Sequence, residues 1–119
     1  MSNNDLITLR DELRTFAADR DWDQFHTPKN LATALNVEAA ELLEHFQWLK
    51  DDESRNLPDP VRQAVAEEIA DVLLYLVRIA DKLDVDLVEA ARRKIELNAK
   101  KYPVALARGN ATKHTNLGR

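Results

Sequence analysis

Four prolines, Pro28, Pro58, Pro60 and Pro103, punctuate this 119-residue chain. Between them apolar residues recur every three or four positions, the period of a helix with one buried face. The first helix is predicted over residues 6–19, with Leu6, Leu9, Leu13, Phe16 and Ala17 on one side. The second starts at Pro28, where a missing N–H costs nothing, with Thr27 as its N-cap. It carries Leu31, Leu35, Leu42 and Phe46 and is expected to end near Trp48. Residues 50–58 read as a polar, acidic loop. The third helix is predicted from Pro60, capped by Asp59, to about Leu83. The fourth follows Asp86, with Glu89 at the capping-box position, and runs to about Tyr102 before Pro103 ends it. Nothing reads as strand. The expected fold is all-α, a four-helix bundle-like protomer over residues 1–107 with a polar tail at 108–119.

The third helix also predicts assembly. Val65, Ile69, Val72, Leu73, Leu76, Ile79 and Leu83 form a wide apolar face, and Leu74 and Val77 extend it. A helix apolar nearly all round is covered on more than one side. A chain this short has little core of its own to supply that cover, so a second subunit is expected.

The bulk properties exclude several functions. With 17 Lys plus Arg against 21 Asp plus Glu, the net charge is -4. Coating nucleic acid needs clustered cations, so no nucleic-acid partner is expected. The absence of cysteine removes disulfides, thiol nucleophiles and Cys-ligated zinc, and fits a reducing, cytoplasmic setting. The first fourteen residues are polar and charged, without a signal-peptide core. The most apolar run, 69–77, contains Asp71 and is too short to cross a membrane. Gly109 and Gly118 both lie in the last eleven residues, so neither a P-loop nor a dinucleotide loop is available. Any phosphate handling falls to side chains and metal.

Two helices carry acids among apolar residues. The second holds Glu38 and Glu41 and the third Glu68 and Asp71, each pair three residues apart. That spacing puts both members of a pair on one helix face. Packed face to face, the helices would gather four carboxylates. Like charges in one site push a proton on, and an unpaired buried carboxylate costs several kcal/mol. Neither segment has a Lys or Arg at i+4 to compensate, so a divalent cation is the simplest counter-charge. Four oxygens suit Mg²⁺, or Mn²⁺. Acid pairs at this spacing also line ordinary solvated faces, the role expected of Glu44 and Glu67. A non-catalytic helical interaction module is therefore a competing reading. A carboxylate-bridged redox protein is another, but di-iron bundles use Glu-x-x-His. Here Glu41 and His45 are four apart, and the third helix has no histidine.

Glu38-x-x-Glu41, 26 intervening residues and Glu68-x-x-Asp71 resemble the signature of the all-α nucleoside triphosphate pyrophosphohydrolases. These include MazG-like enzymes, dimeric dUTPases and phosphoribosyl-ATP pyrophosphohydrolase. The segment from Arg20 to Leu31, with Trp22, Phe25, His26, Pro28 and Asn30, is similar to the one preceding the first acidic motif in dCTP pyrophosphatases. So are Phe46-Gln47-Trp48, Asp71-Val72-Leu73-Leu74-Tyr75-Leu76 and Lys101-Tyr102-Pro103. The likeness spans residues 6–108. It implies cleavage of a nucleoside triphosphate, dCTP or a modified dCTP, between the α and β phosphates. The products would be a nucleoside monophosphate and pyrophosphate. It implies Mg²⁺ on Glu38, Glu41, Glu68 and Asp71, with Glu41 and Glu38 as the catalytic pair and one carboxylate orienting or deprotonating the water. Trp22, Phe25, His26, Trp48 and Tyr75 would lie near base and sugar. Lys29, Asn30, Lys94, Asn98 and Tyr102 would contact phosphate or sugar. Assembly as a homodimer or homotetramer, and a role in nucleotide-pool housecleaning, belong to the same expectation.

Overall fold

A computed structural model describes residues 3–117, and every regular element among them is helical. In order these are α1 (Asn3–Asp19), a 3₁₀ turn (Asp23–Phe25), α2 (Pro28–Glu44), α3 (Asp51–Arg55), α4 (Asp59–Lys82), α5 (Leu87–Lys101), α6 (Val104–Ala107) and a second 3₁₀ turn (His114–Asn116). The chain divides into two compact units at residues 85 and 86.

In the first unit α2 packs along α4, and α1 lies against α4 as well. The core between them is small. Leu31 is 1% exposed, and Ala17, Val65, Val77 and Ala80 are buried with it. Thr27 caps α2 as expected, its side chain accepting from the Asn30 N–H at 3.1 Å. Both α1 and α4 close with an aspartate in the left-handed region, Asp21 and Asp84, each at φ 54°. Trp22 N–H then reaches back to Ala17 O and Val85 N–H to Ala80 O, the six-to-one bond that satisfies carbonyls at a helix end.

Boundaries differ from the sequence pattern at several places: α1 begins at Asn3 rather than residue 6, and the short α6 follows Pro103. The second helix stops at Glu44 rather than near Trp48. The N–H groups of His45 and Phe46 bond three residues back, to Leu42 O and Leu43 O, so the last turn tightens. The stretch read as a loop contains α3. Its first turn is acidic, Asp51, Asp52 and Glu53, which favours a helix N-terminus, and the Glu53 carboxylate accepts from Lys50 N–H at 2.8 Å. In α4 Asp59 is the first helical residue and not a side-chain cap.

The second unit holds α5, α6 and the final turn. Asp86 caps α5 by accepting from Glu89 N–H at 3.0 Å. The stretch read as a polar tail includes the 3₁₀ turn 114–116, and His114 lies edge-on to Tyr102 with ring centroids 5.8 Å apart.

Candidate metal centre and its surroundings

Because α2 packs along α4, their acidic turns meet. Glu38 and Glu41 from α2 and Glu68 from α4 each offer an oxygen, all within 4.8 Å of one another. All three side chains are half-buried. Asp71, one turn beyond Glu68, is not part of that tight triad. Its charge nevertheless acts on Glu38 and on Tyr75. Glu44 and Glu67 are exposed, as expected of surface acids.

The triad is electrostatically unfavourable by itself. The Glu38 carboxyl is pushed up to about 7, first by burial, then by the adjoining Glu68 and Glu41 carboxylates and the charge of Asp71. Glu38 Oε2 and Glu68 Oε2 are buried and meet no hydrogen-bond partner. A buried acceptor without a donor costs about 1–3 kcal/mol, and more when charged. Orphaned carboxylate oxygens at this separation are the donor set of a hard divalent cation, so the residues present fit such an ion. Tyr75 borders the acids on α4. Its hydroxyl is held above the ordinary phenol range by burial and then by Glu38 and Asp71.

The aromatic residues singled out from the sequence are not core. Trp48 is 87% exposed, Phe25 60% and Trp22 45%. Trp22 packs edge-on against Phe16, centroids 5.7 Å apart, and lies 6.4 Å from the His26 ring. Lys29 and Asn30 are exposed at the first turn of α2. Asn30 also has a structural duty, donating from Nδ2 to Phe25 O at 2.9 Å. Lys94 and Asn98 on α5 and Tyr102 at its C-cap follow one another at four-residue steps in the second unit.

The sequence pattern missed one group. Arg78 is only 5% exposed. Its Nη2 donates to Asp23 Oδ1 at 2.9 Å, and its Nε to His26 Nδ1 at 3.2 Å. Lys82 also donates to Asp23. These two cations hold the Asp23 carboxyl below the usual range, Lys82 most. On the far side Arg14 of α1 grips Asp81 through Nε at 2.8 Å and through Nη2, lowering the Asp81 carboxyl. The available signal was an arginine seven residues after Asp71, at the end of an otherwise apolar run.

Comparison with known proteins agrees with this architecture. A family model described as the MazG-like family matches residues 33–117. The mouse protein dCTP pyrophosphatase 1 is 49% identical over 106 residues, which are 87% of this chain and 62% of that protein. The human protein of the same name is 46% identical over 108 residues, covering 86% of this chain and 61% of the relative. The chain thus spans somewhat under two thirds of these relatives' length. A crystal structure of a pyrophosphatase from Archaeoglobus fulgidus aligns with TM-score 0.74 at 47% identity, covering 78% of this chain and 87% of that one. Helical order, acidic triad and similarity coincide: the chain belongs to the MazG-like family.

Proposed function

We propose that this protein is a Mg²⁺-dependent nucleoside triphosphate pyrophosphohydrolase that converts dCTP, or a modified dCTP, to the monophosphate and pyrophosphate. The observation that carries the reading is the triad Glu38, Glu41 and Glu68 with its two partnerless oxygens. The relatives named dCTP pyrophosphatase 1 supply the reaction.

In this reading Glu38, Glu41, Glu68 and Asp71 hold Mg²⁺, with Mn²⁺ as a substitute. The ion supplies neutralisation of phosphate charge and polarisation of the scissile anhydride. Glu41 or Glu38 orients the attacking water and takes its proton, which general bases do for about 10²–10⁴-fold of rate. The exposed rings of Trp22 and Trp48 are free to stack on a base, a contact that tolerates any base. Tyr75 and His26 border it. Lys29, Asn30, Lys94, Asn98 and Tyr102 take the phosphates and sugar, where cationic and amide donors make charge-assisted bonds.

The active form in this reading is a homodimer or homotetramer of four-helix bundle-like protomers (residues 1–107, with 108–119 a polar tail) working in the cytoplasm. Ile69 and Leu76 on α4 and Leu83 at its C-cap are 53%, 40% and 55% exposed. They recur every seven residues, the spacing of a seam that packs against another helix. No helix among the described residues is long and apolar enough to cross a membrane; in this reading a partner copy covers the stripe.

The test is pyrophosphate release from a panel of common and modified nucleoside triphosphates with Mg²⁺. Glu41→Gln is expected to lower the rate at least about 100-fold with unchanged far-UV circular dichroism. If the wild type releases no pyrophosphate from any member of the panel, the proposal is wrong.

A further inference from the structure

The exposed face of Trp22 is bordered by His26, and His26 is bordered by a buried cation. A guanidinium has five N–H donors and no acceptor. Arg78 Nε lies 3.2 Å and Nη2 3.1 Å from His26 Nδ1. Nδ1 must therefore accept, which leaves the ring proton on Nε2. Arg78 is itself fixed from two further directions, by Asp23 Oδ1 at 2.9 Å and by Asp81 at 3.7 Å, and Arg14 braces Asp81. It is anchored on α4 seven residues after Asp71, roughly 10 Å of helix rise.

We propose that Arg78 is a positioning residue that locks His26 in the neutral Nε2–H tautomer, so that the protein presents a fixed hydrogen-bond donor to an acceptor atom on the nucleotide base. This rests on the nucleotide-binding reading above. A free imidazole exchanges its proton between the two nitrogens and charges near neutral pH, offering a donor at either position. Buried Arg78 removes the alternative tautomer. The charged groups facing His26 are Arg78 and Lys82 from α4 and Asp23 from its own turn. Burial and the two cations hold the ring below its ordinary value, against Asp23, which favours the uncharged donor.

The experiment uses the full chain labelled with ¹⁵N-histidine. Long-range proton–nitrogen correlation reads the tautomer of each ring, and the signal lost in His26→Gln identifies His26 among the three histidines. The expected result is an unprotonated Nδ1, a protonated Nε2 and a titration point lower than free imidazole. Arg78→Met removes the donor while keeping the bulk. It should let His26 sample both tautomers and raise KM for dCTP about tenfold, the value of one hydrogen bond, with kcat little changed. The KM penalty should vanish for deoxyribose 5′-triphosphate, which has no base. If Arg78→Met does not fold, Arg78→Lys and the wild-type spectrum decide the question. Protonated Nδ1 in active wild type, or an Arg78→Met defect confined to kcat, would overturn the proposal alone. A wild type that hydrolyses no nucleotide would overturn the functional reading with it.

Discussion

Replacing Glu38 with Gln removes one negative charge from the triad without changing its shape. In the metal-free protein the Glu38 carboxyl titrates near 7 against about 4.3 for a free glutamate. Its folded-state value is raised, so stability is fully present below the unfolded value and is lost as pH rises through about 7. The gap corresponds to about 4 kcal/mol at most, at 1.36 kcal/mol per pH unit. Glu38 is only half-buried, and solvent screening reduces this to about 1–2 kcal/mol. Metal-free Glu38→Gln is therefore expected to be more stable than wild type at pH 8 by that amount. Its melting temperature should rise by about 4–8 °C, with little difference at pH 4.5. Adding Mg²⁺ should reverse the order, because the wild type, with all its carboxylates, gains more of the binding free energy of the ion. Thermal denaturation monitored by circular dichroism at pH 4.5 and 8, with EDTA and then with Mg²⁺, reads all four corners at one protein concentration. A Glu38→Gln protein that is neutral or less stable at pH 8 in EDTA, or whose gain is the same at both pH values, would refute the electrostatic account of the triad.

Three further expectations follow from the fold and the site. Leu31→Ala empties the most deeply buried side chain and should cost about 2–4 kcal/mol by urea denaturation. Asp84→Gly relieves a left-handed aspartate at φ 54° and should stabilise by about 0.5–1 kcal/mol in the same assay; Asp21 is a poorer choice, because Gln24 bonds its carboxylate at 2.8 Å. Apparent Mg²⁺ affinity, followed by isothermal titration calorimetry, should fall about tenfold for each pH unit below 7, since the ion must displace the Glu38 proton.

Legibility in the sequence followed the range of each interaction. Helix caps are local, and Thr27 and Asp86 could be read because their partners, Asn30 N–H and Glu89 N–H, lie three residues on. The acid pairs were legible because a three-residue spacing fixes a helix face before any packing is known. What that spacing cannot show is the axial offset between α2 and α4. That offset decides that Glu68, and not Asp71, closes the triad with Glu38 and Glu41. The short α3 escaped notice because its residues are polar throughout and give no apolar period; only its acidic first turn and Glu53 cap mark it. Arg78 was invisible for a different reason. Its partners are 52 and 55 residues away, and an arginine in an apolar run looks like the end of a buried face.

The three roles of α4 explain why its sequence looked overfilled with apolar residues. One side buries Val65, Val77 and Ala80 against the protomer's own core. Ile69, Leu76 and, just past the last residue of α4, Leu83 stay uncovered. A polar line runs Glu68, Asp71, Tyr75, Arg78 and Lys82, at steps of three or four residues. Along that line the charge changes sign, from carboxylates that want a cation to cations already satisfied by Asp23 and Asp81. Repulsion makes the acidic end the unstable one when no ion is bound, whereas the basic end is cross-linked to the 3₁₀ turn and, through Asp81 and Arg14, to α1. On the proposed reading, a ligand bringing divalent metal and phosphate to the first end and a neutral ring to the second would relieve the one without disturbing the other. A nucleoside triphosphate chelating Mg²⁺ has that polarity, and an isolated phosphate or a free base has only half of it.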